Sequence, residues 1–330
     1  MADLIPKAMI LAAGFGTRLG QLTQLRPKPM MPLCGAPLVR WSALWLASQG
    51  VKDVVINLHH LGEQIEADLG DGSELGLNIS YTHEEGMILG TGGGLRNARH
   101  LLDDGSGAPI LVLNGKILFE LELDALMRTH RELGCEATMV MREDAEGVWG
   151  GKLAAGPDGK LATFLGATRE GVQAGTPLMF TGIHVFEPSF LDRVPPRGEQ
   201  CIVRTAYKQL FFEGGGPAVH VTNGYWWEHS TPERYLDGMR AVLDGRVRLA
   251  HAQYDPRGVH PSAQVAQGAE LVEPVFVGPN AVIEAGAKVG PHAAIGEGAR
   301  VLAGARVREA IVWPGAKCEG EWVESVCTGA

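Results

Sequence analysis

The residues of this chain best suited to chemistry cluster around two glycines near its start. The stretch LAAGFGTRLGQLTQLRPKPM, residues 11–30, puts Gly14 and Gly16 after an apolar run and follows them with Arg18 and Lys28. Glycine has no Cβ, so such a turn lets backbone N–H groups approach a phosphate closely. Arg18 and Lys28 add charge-assisted contacts. Lys28 lies between Pro27 and Pro29, which stiffen its backbone and lower the entropic cost of aiming the ammonium. A glycine-rich turn alone is also a common strand–helix connection. Two familiar phosphate loops are excluded by counting. Position 19 is not glycine, so G-x-G-x-x-G fails, and G-x-x-x-x-G-K-[ST] does not occur.

A second stretch, LVLNGKILFE, residues 111–120, reads as a buried strand running out into a loop. Parallel α/β sheets carry their chemistry at such strand ends. Handling nucleotide phosphates through Mg²⁺ calls for an acidic residue there. The residue is Lys116.

The elements that must position these groups follow from the hydrophobic pattern. KAMILA, DVVINL, LNISYT, PILVLN and EATMVM read as buried strands. Between them PLVRWSALWLASQG, LGEQIEADLG, TGGGLRNARHLL and ELDALMRTHRELG read as helices, the second with Leu61, Ile65 and Leu69 at helical spacing. Repeated βα units predict a doubly wound, mostly parallel α/β sheet of Rossmann-like type. After residue 150 the pattern predicts a hairpin in GKLAAGPDGKLATF turning at Pro157–Gly159, a strand in FTGIHVFEP, and a helix from TPERYLDGMRAVLDG with Thr231 as N-cap. From Val259 an apolar residue recurs every six positions: Val265, Leu271, Val277, Ile283, Val289, Ile295, Val301, Val307 and Trp313. That period predicts a hexapeptide β-solenoid of about three coils. The chain is therefore partitioned into 1–245, a linker 246–258, and 259–330.

Composition bounds the function. The chain has 330 residues, 45% hydrophobic and 20% charged, as expected of a globular protein of two domains. A net charge of −9 without a Lys/Arg block argues against nucleic acid and anionic membranes as partners, but leaves room for a local basic pocket. No apolar run is long enough to span a bilayer, and MADLIPKAMILAAG is too short and wrongly flanked for a signal peptide. The five cysteines, at 34, 135, 201, 318 and 327, lack zinc spacing and read as reduced thiols of a cytoplasmic protein.

The residues 11–30 resemble the signature L-A-A-G-x-G-T-R-L-x-P-L-T-x-x-x-P-K-P of the sugar-nucleotide pyrophosphorylases, with Gln21 in place of a common proline. The resemblance continues through INLHHLGEQIEADLGDGSELGLNISYTHEEGMILGTGGGL, LVLNGK, FTGIHVFEP and YWWEHSTPERYLDG, and with the hexapeptide tail covers nearly the whole chain. Mannose-1-phosphate guanylyltransferases and N-acetylmuramate-1-phosphate uridylyltransferases are the most similar subgroups. The resemblance implies a nucleotidyltransferase domain at 1–245 and a left-handed β-helix at 259–330. It implies attack of a sugar 1-phosphate on a nucleoside triphosphate, with release of pyrophosphate, by a homo-oligomer joined through the β-helix. Leu11, Ala12 and Ala13 would help bind the nucleotide, and Gly14, Gly16, Thr17 and Arg18 would hold its triphosphate, with Arg18 and Lys28 as the catalytic cations. Glu85, Gly90, Thr91, Gly92 and Gly93 would border the base, although Gly92–Gly94 could equally cap a helix. Asn114, Gly115, Gly150, Thr181 and Gly182 would face the sugar. His59, His60, Trp226 and Trp227 read as packing or cleft-wall residues.

The family's Mg²⁺ site uses two acidic residues. Here Glu228 matches one, and Lys116 stands where the other is expected. At an effective dielectric constant of about 20, a +1 and a +2 charge roughly 4 Å apart repel by about 8 kcal/mol. Lys116 thus argues against Mg²⁺ binding in the family's manner. Three readings stay open: a disabled enzyme, a binding regulator, or an ammonium that replaces the metal's charge. The region LGATREG lacks the family's sugar-phosphate lysine; Arg169 or Lys152 are the nearest stand-ins. An acyltransferase built on His260 or His292 of the solenoid is a third functional class.

Overall fold

The fold was described from a computed structural model covering residues 6–150 and 152–329. Residues 1–5 of the MADLIPKAMILAAG segment, Gly151 at the head of the hairpin stretch, and Ala330 lie outside the described residues. The chain forms two compact units. One comprises Met1–Gly14, Trp45–Gly115 and Leu121–Gly224; the other comprises Phe15–Leu44, Lys116–Glu120 and Tyr225–Ala330. The linear partition at 245 and 259 stays a proposal about independently folding domains.

In the first unit seven strands form one sheet: β1 (Lys7–Leu11), β2 (Asp53–Leu58), β3 (Asn78–His83), β4 (Ile110–Asn114), β5 (Ala137–Glu143), β6 (Leu178–Phe186) and β7 (Ala218–Val221). Their order is β7-β5-β6-β4-β1-β2-β3. All neighbours are parallel except β6, which runs antiparallel to both β4 and β5. Strands β1, β2 and β4 are buried almost end to end, as a sheet covered on both faces requires. The strand order reverses at β1, which lies between β2 and β4. Ligand crevices of open α/β sheets form outside the carboxyl ends at such a switch point. There the Gly115 amide donates to Leu11 O at 3.0 Å, joining the ends of β1 and β4. The glycine-rich helix breaks into Gly90–Asn97 and Arg99–Leu102, and the hairpin pairs Leu161 with Ala155.

In the second unit thirteen short parallel strands stack into three faces of five, four and four, which fit a short left-handed β-helix. Columns such as Val277–Ile295–Val312–Cys327 and Ile283–Val301–Cys318 fill its interior, and all of these residues are buried. Alanines 281, 287, 299, 305 and 316 are buried with them. The hexad reading holds to Val307 and then needs correction. Ile295 pairs with Val312, not with Trp313, because this coil is one residue short. Strands at Lys317–Cys318, Glu321–Val323 and Val326–Cys327 extend the stack, giving slightly more than four coils where the period suggests three. Val259 and Val265 hold column positions in the first coil, yet are 42% and 39% exposed, since no coil precedes theirs.

The helix Pro232–Leu243 starts as the sequence predicts, with Thr231 Oγ1 accepting from the Arg234 amide at 3.3 Å. Its side chains Tyr235, Leu236, Met239, Val242 and Leu243 share one core with the solenoid columns and with Leu19, Met31, Leu33, Leu38 and Trp41. Each such burial stabilises by roughly 1.5–3 kcal/mol, which a twelve-residue helix needs because alone it is marginal. Tyr235 also donates its hydroxyl hydrogen to Pro32 O. Val247 and Leu249, in the segment read as a linker, are buried in this core too. His292 Nε2 lies 2.6 Å from Asp244 Oδ1, and His260 Nδ1 lies 2.9 Å from Ser262 Oγ, so both solenoid histidines have structural partners. Among the described residues no helix is long and apolar enough to cross a membrane.

Ile295→Ala, which removes a buried column residue, is expected to cost about 2–4 kcal/mol. Val265→Ala, at the open first coil, is expected to stay within about 0.5 kcal/mol. Urea midpoints of the two variants check this, and equal losses would contradict the stacking described.

Candidate functional site

The chemical groups of the second unit converge on a two-stranded antiparallel ribbon. Ile117–Phe119 pairs with Trp226–Glu228, with Glu228 opposite Ile117 and Trp226 opposite Phe119. One step further, the His229 amide donates to Lys116 O at 3.2 Å. This register puts the Lys116 and Glu228 side chains together. Lys116 Nζ donates to Glu228 Oε1 at 2.7 Å, and the Arg18 guanidinium reaches the same oxygen at 3.3 Å. Burial pushes the Glu228 carboxyl up, but Lys116, Lys28 and Arg18 outweigh it and hold the group below its ordinary range.

Lys28 completes this corner. It opens the 3₁₀ turn Lys28–Met30, directly after Pro27, and is 5% exposed. Among the described residues its ammonium has no hydrogen-bond acceptor. Burial pushes its pKa down to about 8, aided by Lys116 and Arg18 and opposed by Glu228. Gly16 makes this placement possible. Its φ is +67°, and a Cβ there would sit 3.0 Å from Lys28 Cβ and from Thr23 Cγ2. Gly14 differs, since a Cβ on it would meet nothing within 4 Å. Thr17 is exposed at the start of the next turn, Thr17–Leu19.

Sequence reasoning missed the support beneath this corner. His229 is fully buried, and its Nδ1 lies 3.3 Å from Lys116 O. Burial pushes its pKa down to about 4, so the ring is neutral at pH 7. Gly238 makes room for it, because a Cβ there would come within 2.1 Å of His229 Nε2. Both lie in the stretch YWWEHSTPERYLDG that carries the resemblance, but nothing there assigned them a role; the signal for His229 is its place directly after the matched acidic position.

The first unit holds the other predicted residues. The Ala12 amide donates to Asn57 Oδ1 at 2.9 Å, and Asn57 Nδ2 donates to Glu84 Oε1 at 2.6 Å. Glu84 Oε2 accepts from the Leu89 amide at 2.6 Å. Glu84 is therefore built into the framework, whereas its neighbour Glu85 is exposed. Leu11 and Ala13 lie beside this network, half-buried and buried respectively. Gly90 to Gly93 open the helix Gly90–Asn97 and press on another segment: Gln200 O accepts from the Gly92 amide at 2.7 Å, and Thr91 Oγ1 accepts from the Ile202 amide at 3.0 Å. The bland reading of these glycines, close packing at a helix start, thus has a geometric basis.

Asn114 and Gly182 are brought together, for a Cβ on Gly182 would lie 2.0 Å from Asn114 Nδ2. Thr181 turns inward and donates its hydroxyl to Val140 O at 2.7 Å. Gly150 lies in a loop, its amide donating to Gly147 O at 3.1 Å. Arg169 grips Asp158 of the hairpin turn at 2.8 and 2.9 Å, which engages it away from any ligand. His59 Nδ1 meets Glu84 O at 2.7 Å, and Trp227 Nε1 donates to Arg234 O at 2.7 Å.

The ribbon corner does not fit the two-carboxylate Mg²⁺ site implied by the resemblance. Its one carboxylate shares an oxygen between two cations, and an ammonium holds the second ligand position. Among the described residues no group of three or more His, Cys, Asp or Glu is arranged to hold a metal.

A pH dependence follows from Lys28. Between about pH 8 and its ordinary value of 10.5, the unfolded chain holds a proton that folded Lys28 has released. Stability should therefore rise with pH across that window, by at most ~3 kcal/mol. The difference between wild type and Lys28→Met in urea titrations at pH 7.5 and 10 measures it. A difference that does not change with pH would show that burial leaves Lys28 unperturbed.

A model of the nucleotidyl transferase family matches residues 7–244. The chain is 31% identical over 285 residues to a mannose-1-phosphate guanylyltransferase of Mycobacterium tuberculosis, covering 85% of this chain and 77% of that protein. It is 32% identical over 326 residues to the mannose-1-phosphate guanylyltransferase catalytic subunit beta of Danio rerio, covering 98% and 86%. An N-acetylmuramate alpha-1-phosphate uridylyltransferase of Neisseria meningitidis is 36% identical over 190 residues, 57% of this chain and 78% of that protein. Among solved structures, HddC from Yersinia pseudotuberculosis complexed with GMP-PN matches the fold with a TM-score of 0.57 at 21% identity, covering 72% of this chain and 99% of that one. With the family match and these relatives together, the chain belongs to the nucleotidyl transferase family, among the sugar-nucleotide pyrophosphorylases.

Proposed function

We propose that the chain acts on GTP and mannose 1-phosphate, and that its turnover is impaired at Lys116. Support for the substrates comes from the hexapeptide tail and from relatives named mannose-1-phosphate guanylyltransferase that span 85% and 98% of the chain. Support for the impairment is the 2.7 Å ion pair between Lys116 and Glu228, the observation that carries the reading. In the reaction a sugar-phosphate oxygen attacks the α-phosphorus and pyrophosphate leaves, so the protein's work is mainly positioning and charge neutralisation. Arg18 would neutralise the leaving pyrophosphate, and Lys28 would meet the α-phosphate or sugar phosphate. No step is assigned to Mg²⁺, because the corner does not fit it.

A uridylyltransferase acting on N-acetylmuramate 1-phosphate is the second reading, favoured by the 36% identity to such a protein. A regulator that binds nucleotide sugars without turnover is the third. The same proposal puts the protein in the cytoplasm, in keeping with five free cysteines, and has it assemble as a homo-oligomer through the solenoid.

Nucleoside triphosphates and sugar 1-phosphates, screened pairwise for thermal stabilisation and pyrophosphate release, separate these readings. GTP and mannose 1-phosphate should stabilise most. Lys116→Asp should raise Mg²⁺-dependent pyrophosphate release by about 10²-fold or more, the scale of a metal's contribution to charge stabilisation. Wild-type turnover in the usual range of about 1–10³ s⁻¹ would sink the impairment. Stabilisation by substrates with no gain from Lys116→Asp would favour the regulator.

A further inference from the structure

The ribbon corner carries more positive charge than its carboxylate can balance. Arg18, Lys28 and Lys116 surround Glu228, which is three formal positive charges against one negative. Two of the cations share a single carboxylate oxygen. The third, Lys28, is 5% exposed and has no acceptor among the described residues. A largely buried ammonium without a hydrogen-bonded counter-charge is costly, and it is tolerated when one arrives. Glu228 offsets part of that charge, but its Oε1 already serves Lys116 and Arg18. The outer two cations are within reach of solvent, their side chains being 32% exposed for Lys116 and 59% for Arg18. Both are thereby open to an incoming ligand, while Lys28 is nearly buried at the head of its 3₁₀ turn.

A divalent cation entering this corner meets a surplus of positive charge. A multivalent anion meets three donors, and ammonium and guanidinium groups suit phosphate oxygens. We propose that Arg18, Lys28 and Lys116 form a metal-independent binding site for a polyphosphate anion, with Glu228 as the internal counter-ion that the ligand displaces. Pyrophosphate and the terminal phosphates of a nucleoside triphosphate share the required chemistry. The inference rests on the reading of this corner as the phosphate end of a nucleotidyl-transfer site. It adds that the anion is held without Mg²⁺.

The test is calorimetric titration of the full chain with sodium pyrophosphate, once in EDTA and once in MgCl₂. Wild type should bind in EDTA, and Mg²⁺ should not tighten the binding. Lys116→Met and Arg18→Met should each weaken binding in EDTA by about tenfold. Lys116→Asp should lose binding in EDTA and regain it with Mg²⁺. Lys116→Arg, which keeps the charge, should bind in EDTA and guards against a loss that reflects misfolding alone. Wild-type binding only with Mg²⁺, or undiminished binding by Lys116→Met in EDTA, would overturn the proposal. Pyrophosphate release from GTP and mannose 1-phosphate, assayed on the same preparations, keeps the two readings apart. An inert protein that binds in EDTA supports the inference whichever sugar is the substrate. An inert protein that binds in neither buffer overturns it and leaves the family membership untouched.

Discussion

The pairing of Ile117–Phe119 with Trp226–Glu228 is the constraint on which the chemistry of the second unit depends. It brings together residues 112 positions apart and fixes which side chains face each other. A one-residue slip in such a ribbon would turn every side chain to the opposite face. Lys116 and Glu228 would then part, and the His229 bonds to Lys116 O would be lost. His229 and Gly238 guard against that slip from below, since the buried ring fits only because residue 238 has no Cβ.

This corner shares its supporting core with the solenoid. The helix that follows Glu228 buries Tyr235, Leu236 and Met239 in the same core as Val277, Ile295 and Val312. Lys28 reaches the corner from a segment whose Met31 and Leu33 lie in that core as well. The β-helix is therefore part of what positions the charged residues, beyond any role in assembly. The Asn57–Glu84 network plays the corresponding part in the first unit, fixing the backbone at Ala12 and Leu89.

Much of this was legible in the sequence wherever one local period dominated. The five strands read from apolar runs were found within two residues of their predicted bounds, four because strands buried on both faces show as continuous apolar stretches and Asn78–His83 because its buried residues alternate with exposed ones. The hexad repeat was legible as far as its period held. Beyond Val307 the coils shorten, and the stack continues through Cys318 and Cys327 without a six-residue signal. In the charged corner, Arg18 and Lys28 were legible beside a glycine-rich turn and Lys116 at a strand end, whereas Glu228 was located through resemblance to a family motif, and nothing showed that Lys116 and Glu228 bond. Asn57, Glu84, His229 and Gly238 lie in stretches that carry the resemblance, yet no role was legible for them, since their roles depend on partners brought close by the tertiary fold. Glycines gave an ambiguous one. Gly16 read as an opening for phosphate and Gly92 as a border of the base, yet each is also needed where the chain packs against Lys28 or Gln200. Thr181 read as a sugar contact, but its hydroxyl serves Val140 O.

The core of the second unit draws on both ends of the chain, from Leu19 through Trp41 to Cys327. A ribosome makes those ends in order. The early residues emerge with their apolar side chains and cannot bury them until the solenoid has followed. At about 5–20 residues per second, nearly 300 intervening residues take roughly 15–60 s. During that interval the first unit can complete its sheet, while residues 15–44 stay without their core. Arg18 and Lys28 are thus made well before the core that holds their segment, and are among the last side chains of this unit to be set in place.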